Sequence, residues 1–381
     1  MTLDDLGDIK RIDVHDTRDV LAAFAAQCRE ATGLVARPAP SIDRPSAVVV
    51  AGMGGSAASG DLLAACAADR ADVPILVHRG YGLPPVAGRR ALVIASSYSG
   101  ETAEVISALE AAIARGVPAL VITAGGRLAE LAAQYGLPRV ALPGGLMPRM
   151  ALGNLFFPAL SVLAGVGISV ATDAEVAEAL ETVDALGAEL VPERPTRSNE
   201  AKRLALAIGN RIPAIYGGQD TGPIAYRWKT DVEENAKTFA IAGSLPEMNH
   251  NEIEAWRAPA AGGFHLLLLR DHAELPEITR RFTVLRELVE AAAGGVSESW
   301  TRGRGRLARL LSLAYLGQWT SYYLAILREI DPWTIPLLDE LKRRMRTDFM
   351  GGPEMAPQTP QRSEPSRGVR GRTRETRDGP R

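Results

Sequence analysis

The stretch VVVAGMGGSAASGDLL, residues 48–63, decides how this chain is read. A β-branched run enters Gly52, Gly54 and Gly55, then small residues, then a helix-like segment. A strand that feeds a helix N-terminus through glycines leaves backbone N–H groups free for an anion, and the helix dipole favours negative charge there. Two ligands fit that description. GMGGSA satisfies the G-x-G-x-x-G/A pattern of dinucleotide sites, and a single phosphate monoester would suit the same turn.

Outward from this stretch, apolar segments of strand length alternate with helical patterns: AVVVAG, VPILVH, ALVIASS, VPALVIT and PRVALP, with ETAEVISALEAAIARG and RLAELAAQYG between some of them. Such alternation predicts a parallel sheet with crossover helices. The pattern resumes after about residue 190 with IPAIYGG, FHLLLLRD and VSESW, which predicts a second α/β unit and a weakly duplicated architecture. The expected organisation is a helical extension over 1–45, a first sheet domain over 46–165, a helical connection over 166–195 and a second sheet domain over 196–350. From 351 to 381 the chain mixes Pro, Gly, Ser and Arg with almost no apolar content, the composition of a disordered tail.

The second and third strands separate the two ligands. A dinucleotide site wants an acidic residue at the end of the second strand to hold the ribose. Here that strand ends in His78, Arg79 and Gly80, which leaves only an NADP version open. The third strand, ALVIASSYSGETAEV, puts Ser97, Ser99 and Thr102 in the turn before a helix, with Gly100 for a tight backbone and Glu101 expected to start the helix. A helix cap needs one such residue. Three hydroxyls beside free N–H groups make a nest for one compact dianion.

GMGGSAASGDLL together with SSYSGETAE resembles the sugar isomerase (SIS) domain, a five-stranded parallel sheet that binds phosphosugars. WKTDVEENAKTFAIAGSLPEMNHNEIEAW and YYLAILREIDPWTIPLLDELK resemble the bifunctional phosphoglucose/phosphomannose isomerase family. The resemblance runs from about residue 45 to 346 and implies two SIS-type doubly wound parallel sheets flanked by helices. It implies a metal-independent, cofactor-free isomerase that interconverts glucose 6-phosphate and/or mannose 6-phosphate with fructose 6-phosphate through a cis-enediol. The alternative is a non-catalytic SIS protein that binds phosphosugars, which would need the hydroxyl nest but neither Glu234 nor His250.

An aldose–ketose isomerisation requires a phosphate anchor, a ring-opening group, a base to move a proton between C2 and C1, and positive charge for the enediolate. On the resemblance, Ser56, Ser97, Ser99 and Thr102 match phosphate-binding positions, with Gly54 and Gly55 allowing close backbone approach. Glu234, in EENAK, falls on the catalytic glutamate, and Glu233 is expected to pair with Lys237 four residues on. His250, in EMNHNE, aligns with the ring-opening histidine, which is expected to reach the neighbouring subunit of a homodimer. Arg149, after Pro148, corresponds to the enediolate-stabilising arginine. Lys342 matches a lysine near the ring oxygen, and Thr334 lies near the threonine that makes room for the mannose epimer. His265 is read as structural, and His15 and His272 as facing solvent.

Composition excludes other classes. The chain has 381 residues, a formal net charge of −2 and 46% hydrophobic residues, which argues against nucleic acid as the main partner. Only Cys28 and Cys66 occur, with no disulfide framework or cysteine zinc site, and five scattered histidines give no metal signature. A reducing cytoplasm is the expected compartment. The acidic N-terminus lacks the apolar core of a signal peptide. Leu155–Ala171, the longest apolar run, is read as a buried helix and connection rather than a membrane span.

Overall fold

Strands covered on both faces need continuous apolar runs rather than alternating ones. The computed structural model, which describes residues 2–351, builds its first sheet from such runs. Three helices come first, α1 (Leu6–Ile12), α2 (Thr17–Ala22) and α3 (Phe24–Thr32). The sheet follows as β1 (Ala47–Ala51), β2 (Ile75–His78), β3 (Ala91–Ser96), β4 (Ala119–Thr123) and β5 (Arg139–Ala141), in the order β2-β1-β3-β4-β5. Every pairing is parallel. β1, β3 and β4 are buried at every residue, while β2 at the edge is partly exposed.

α4 (Gly54–Ala67), α5 (Ala103–Arg115) and α6 (Gly126–Tyr135) make the crossovers. α7 (Leu152–Gly165) is apolar all round and carries Pro158 inside it. α8 (Asp173–Leu190) opens on a capping box between Thr172 and Glu175, and α9 (Glu200–Ile208) leads into the second sheet. That sheet comprises β6 (Ile212–Gly217), β7 (Ile241–Ser244), β8 (Phe264–Arg270) and β9 (Gly295–Trp300), ordered β7-β6-β8-β9 and again all parallel. Its helices are α10 (Gly222–Ala236), α11 (Pro276–Val289) and α12 (Arg306–Leu327). Each strand expected from sequence is present. β7 was not expected, and Glu101 lies before α5, which starts at Ala103.

The side-chain period of the strands sorts the core into layers. Val48, Val50, Leu92 and Ile94 of the first sheet share one cluster with Ile215, Leu267 and Leu269 of the second, filled in between by α4, α7, α10 and α12. The opposite faces are covered separately. Val49, Val93 and Val121 pack on α5 and α6, and Tyr216, Leu266 and Leu268 on α11. No helix among the described residues is long and apolar enough to cross a membrane.

Residues up to Thr334 form one compact unit that holds both sheets, and a second unit begins at Ile335, inside the stretch assigned from sequence to the second sheet domain. In that second unit α13 (Pro336–Gly351) carries Glu340 paired with Arg343 and Arg344, both at 2.7 Å. The tail expected from residue 351 lies, beyond Gly351, outside the described residues.

Candidate active site

α4 and α5 leave neighbouring strands toward opposite faces of the first sheet, since Leu62, Leu63 and Cys66 join the inner core and Val105 and Leu109 the outer one. The carboxyl ends of β1 and β3 therefore flank a topological switch point, where open α/β sheets bind ligands. Met53 precedes α4 without a side-chain cap, and Ser56 in its first turn is buried. Thr102 occupies the N-cap position of α5 yet makes no side-chain capping bond. Its hydroxyl lies instead 2.8 Å from Ser97 Oγ, which is 3.5 Å from Ser99 Oγ. The cap explanation for these hydroxyls thus fails for Thr102. They face one another, and the N–H groups of Gly100 and Glu101 donate to Ser97 and Ser99 at 3.2 and 3.3 Å.

Gly100 has φ +72°, and a Cβ there would lie 1.8 Å from Gly125 O, so only glycine allows this turn. Gly55 has a different reason. A Cβ on it would come within 2.5 Å of Pro148 O and 3.1 Å of Arg149 Cα, which seats the short 3-10 turn Pro148–Met150 directly on the first turn of α4.

Arg149, on that turn, is 2% exposed. Its Nε donates to Asn235 Oδ1 at 2.8 Å, its Nη2 to the carbonyls of Pro332 and Trp333 at 2.8 and 2.7 Å, and its Nη1 to Glu234 Oε2 at 3.4 Å. Burial pushes the guanidinium pKa down, and the charges of Glu234 and Asp231 oppose that shift.

α10 supplies the carboxylate. Ile224, Ala225, Trp228 and Val232 bury its apolar face, and Trp228 Nε1 donates to Leu313 O at 2.8 Å. Glu234 sits in the last turn with its side chain 29% exposed, which leaves an open approach beside a buried cation. Asp231, one turn earlier, is buried and paired with Arg227 at 2.8 Å. Desolvation raises its pKa to about 6. The expected Glu233–Lys237 pair does not form. Glu233 bonds Lys229 at 2.7 Å, because α10 ends at Ala236 and Lys237 adopts a left-handed backbone, φ +50°.

The other expected residues are more dispersed. Thr334 is exposed and directly follows the two carbonyls that accept from Arg149. Lys342 lies exposed on α13, in the second unit. His250 ends the 3-10 turn Glu247–His250, exposed. Among the described residues it makes no hydrogen bond or ion pair with Arg149, Glu234 or the hydroxyl cluster. His265 is buried and 2.9 Å from Ser297 Oγ, and burial lowers its pKa to about 4. His272 is exposed and stacks on Trp300, whereas His15, though exposed, pairs with Asp331 at 2.7 Å. Both cysteines are free and buried. Sequence reasoning did not find Asn235 or the 331–333 carbonyls, and it gave Lys237 the wrong partner, since its Nζ donates to the carbonyls of Asn235 and Asp331.

The profile of the bacterial phospho-glucose isomerase C-terminal SIS domain matches residues 197–345. A bifunctional phosphoglucose/phosphomannose isomerase from Caldicellulosiruptor bescii is 38% identical over 301 residues, 78% of this chain and 89% of the relative. One of the same name from Aquifex aeolicus is 33% identical, over 78% of this chain and 90% of its own length. Among solved structures, a glucose-6-phosphate isomerase like protein from Thermus thermophilus shares the fold with a TM-score of 0.57, at 20% identity, covering 90% of this chain and 99% of that one.

Proposed function

The chain belongs to the bifunctional phosphoglucose/phosphomannose isomerase family, and from that premise we propose that it converts glucose 6-phosphate and mannose 6-phosphate to fructose 6-phosphate and back. One observation carries the reading: Glu234, open to solvent on one side, lies 3.4 Å from a buried arginine on the turn seated against the first turn of α4. A base and a fixed cation side by side are what a proton transfer through an enediolate needs.

In this reading the phosphoryl group rests on Ser56, Ser97, Ser99 and Thr102, with the backbone at Gly54 and Gly55 beside it. Glu234 takes the C2 proton of the open-chain aldose while O1 takes a proton from solvent, which forms the cis-enediol. The carboxylic acid then returns its proton to C1 as O2 releases its own to solvent, and the ketose results. Arg149 steadies the charge on oxygen through the part of Nη1 that Glu234 leaves free. Thr334 is assigned to the epimer at C2. The scheme asks nothing of a metal or cofactor.

Ring opening is assigned to His250. In this reading the exposed His250 serves the partner's site in a homodimer. The compartment that suits this chemistry and two free thiols is the cytoplasm.

The test is fructose 6-phosphate formation from each aldose phosphate with chelator present, beside Glu234→Gln. Loss of the base is expected to lower kcat by about 10²–10⁴-fold with KM little changed. Equal activity of variant and wild type would remove the mechanism. Phosphosugar binding without turnover would leave the non-catalytic SIS protein.

A further inference from the structure

Arg149 can stabilise a developing oxyanion only if its free N–H points the right way, and its geometry shows what aims it. A guanidinium presents its donors in a rigid planar fork. Both Nη2 bonds are committed to consecutive backbone carbonyls, Pro332 O and Trp333 O, and Nε is committed to Asn235. The direction of Nη1 therefore follows the position of the 332–333 carbonyls.

The carbonyl before these, Asp331 O, accepts from Lys237 Nζ at 3.0 Å, and the same ammonium donates to Asn235 O at 3.1 Å. Three successive carbonyls are thus held by two cations. Lys237 does this from a left-handed C-terminal position, one turn after Glu234, where glycine or asparagine is the residue the backbone favours. The left-handed backbone gives lysine no advantage there, and its side chain bridges the two carbonyls.

The turn is fixed from its other side as well. Asp331 Oδ1 accepts from Trp333 N at 3.0 Å, and Oδ2 lies 2.7 Å from His15 Nδ1. The imidazole stacks on the Trp333 indole, with centroids 6.0 Å apart and planes 13° from parallel.

We propose that the turn Asp331–Trp333 is the positioning element of the isomerase site, and that Lys237 and His15 are positioning residues acting through it on Arg149. The inference rests on the isomerase reading above. Neither residue touches the sugar; each fixes where the carbonyl row sits, one from the end of α10 and one from the segment between α1 and α2.

The test uses the full-length protein with Lys237→Met, Lys237→Arg, His15→Ala and His15→Gln, each alone and combined with Arg149→Lys. Readouts are kcat and KM for fructose 6-phosphate formation and the inhibition constant of inorganic phosphate, which probes the hydroxyl nest alone. Displacing a catalytic group by about 1 Å costs on the order of 10²-fold, so Lys237→Met and His15→Ala are expected to lower kcat at least ~10-fold. KM and the phosphate constant should stay within about twofold of wild type if only the aim of Arg149 changes. Lys237→Arg and His15→Gln, which keep a donor, should recover part of the loss. In the Arg149→Lys background, whose side chain lacks the fork, the additional loss should vanish.

Unchanged kcat in both Lys237→Met and His15→Ala, or losses of the same factor with and without Arg149→Lys, would overturn the inference while leaving the isomerase reading intact. If Lys237→Met fails to fold, the His15 pair decides by the same criteria. A wild type that turns over neither aldose phosphate removes the isomerase reading and this inference together, a result distinct from an active enzyme with indifferent variants.

Discussion

Replacing Gly55 by alanine adds one methyl group and tests the central joint of the site. Its Cβ would lie 2.5 Å from Pro148 O, 3.0 Å from Pro148 C and 3.1 Å from Arg149 Cα. All three are backbone atoms, so no rotamer change relieves the contact. A carbon–oxygen contact relaxes at about 3.3 Å, so the turn must retreat by roughly 0.8 Å. Overpacking of this kind costs about 1–3 kcal/mol, while alanine in place of glycine inside a helix returns about 1 kcal/mol. The net destabilisation is then about 0–2 kcal/mol. Turnover should suffer more. Arg149 rides on the turn that moves, and a shift near 1 Å costs on the order of 10²-fold in rate, about 2.7 kcal/mol of transition-state stabilisation. The assay is kcat for fructose 6-phosphate formation beside the melting temperature, with Gly136→Ala as a control. Gly136 closes α6 at φ +63° with nothing within 4 Å of an added Cβ, so it should lose about 1–2 kcal/mol of stability and no kcat. A Gly55→Ala protein with wild-type kcat would refute the claim that this close approach sets the position of Arg149.

Ser97→Ala and Thr102→Val should each raise KM, and the inhibition constant of inorganic phosphate, by roughly 10-fold, the effect of one hydrogen bond to a charged group; an unchanged phosphate constant would return these hydroxyls to a purely structural part. Burial and the neighbouring Arg149 charge lower the Lys237 pKa from 10.5 to about 8, against Asp331 and Glu234, which raise it. The folded chain therefore releases this proton first, and between pH 8 and 10.5 this group's contribution to stability rises with pH. A fall in kcat beginning near pH 8 that Lys237→Arg removes, with no parallel loss of melting temperature from this group, is the expected profile. Mixing inactive Glu234→Gln and His250→Ala protomers should restore activity in the one site of the heterodimer that keeps both residues, and gel filtration with kinetics after subunit exchange reads it out. No recovery in a demonstrated heterodimer would place His250 and Glu234 of one chain in the same site.

Burial decides which elements sequence reveals. β1, β3, β4 and β8 show as unbroken apolar runs because both faces are covered. β7 does not, because Ile241–Ser244 is short, partly exposed and contains a glycine, so its strand character comes from pairing with β6 alone. Helix ends obey the same limit. Counting four residues on from Glu233 reaches Lys237 only if the helix continues, and TFAI after EENAK contains no glycine or asparagine to announce that it stops. The hydroxyls of the nest are legible because side chains carry their chemistry in the sequence. The acceptors of Arg149 are not, since a backbone carbonyl is available from any residue and only the fold selects Pro332 and Trp333.

Two sheets of like topology raise the question of why the proposed anion site uses only the first. The second switch point, between β6 and β8, has a glycine pair and a threonine before α10, as if prepared for a phosphate. The Thr221 hydroxyl is already used, however, accepting from Gly218 N at 2.8 Å and donating to Leu269 O at 2.7 Å. Asp220 and Asp271 stand in the two loops there, held by Arg306 and Arg309, each at 2.8 Å. Carboxylates at that position repel a dianion, and removing their arginines' compensation to admit one would strand buried charge. The strand ends of the second sheet are thus occupied by their own ion pairs, while the far end of the same helix, α10, carries Glu234 and Asn235 to Arg149. In the proposed reading the ligand is anchored on the first sheet and the proton moves on a helix of the second, and the Arg149 turn touches both, packed on α4 at Gly55 and bonded to Asn235 of α10.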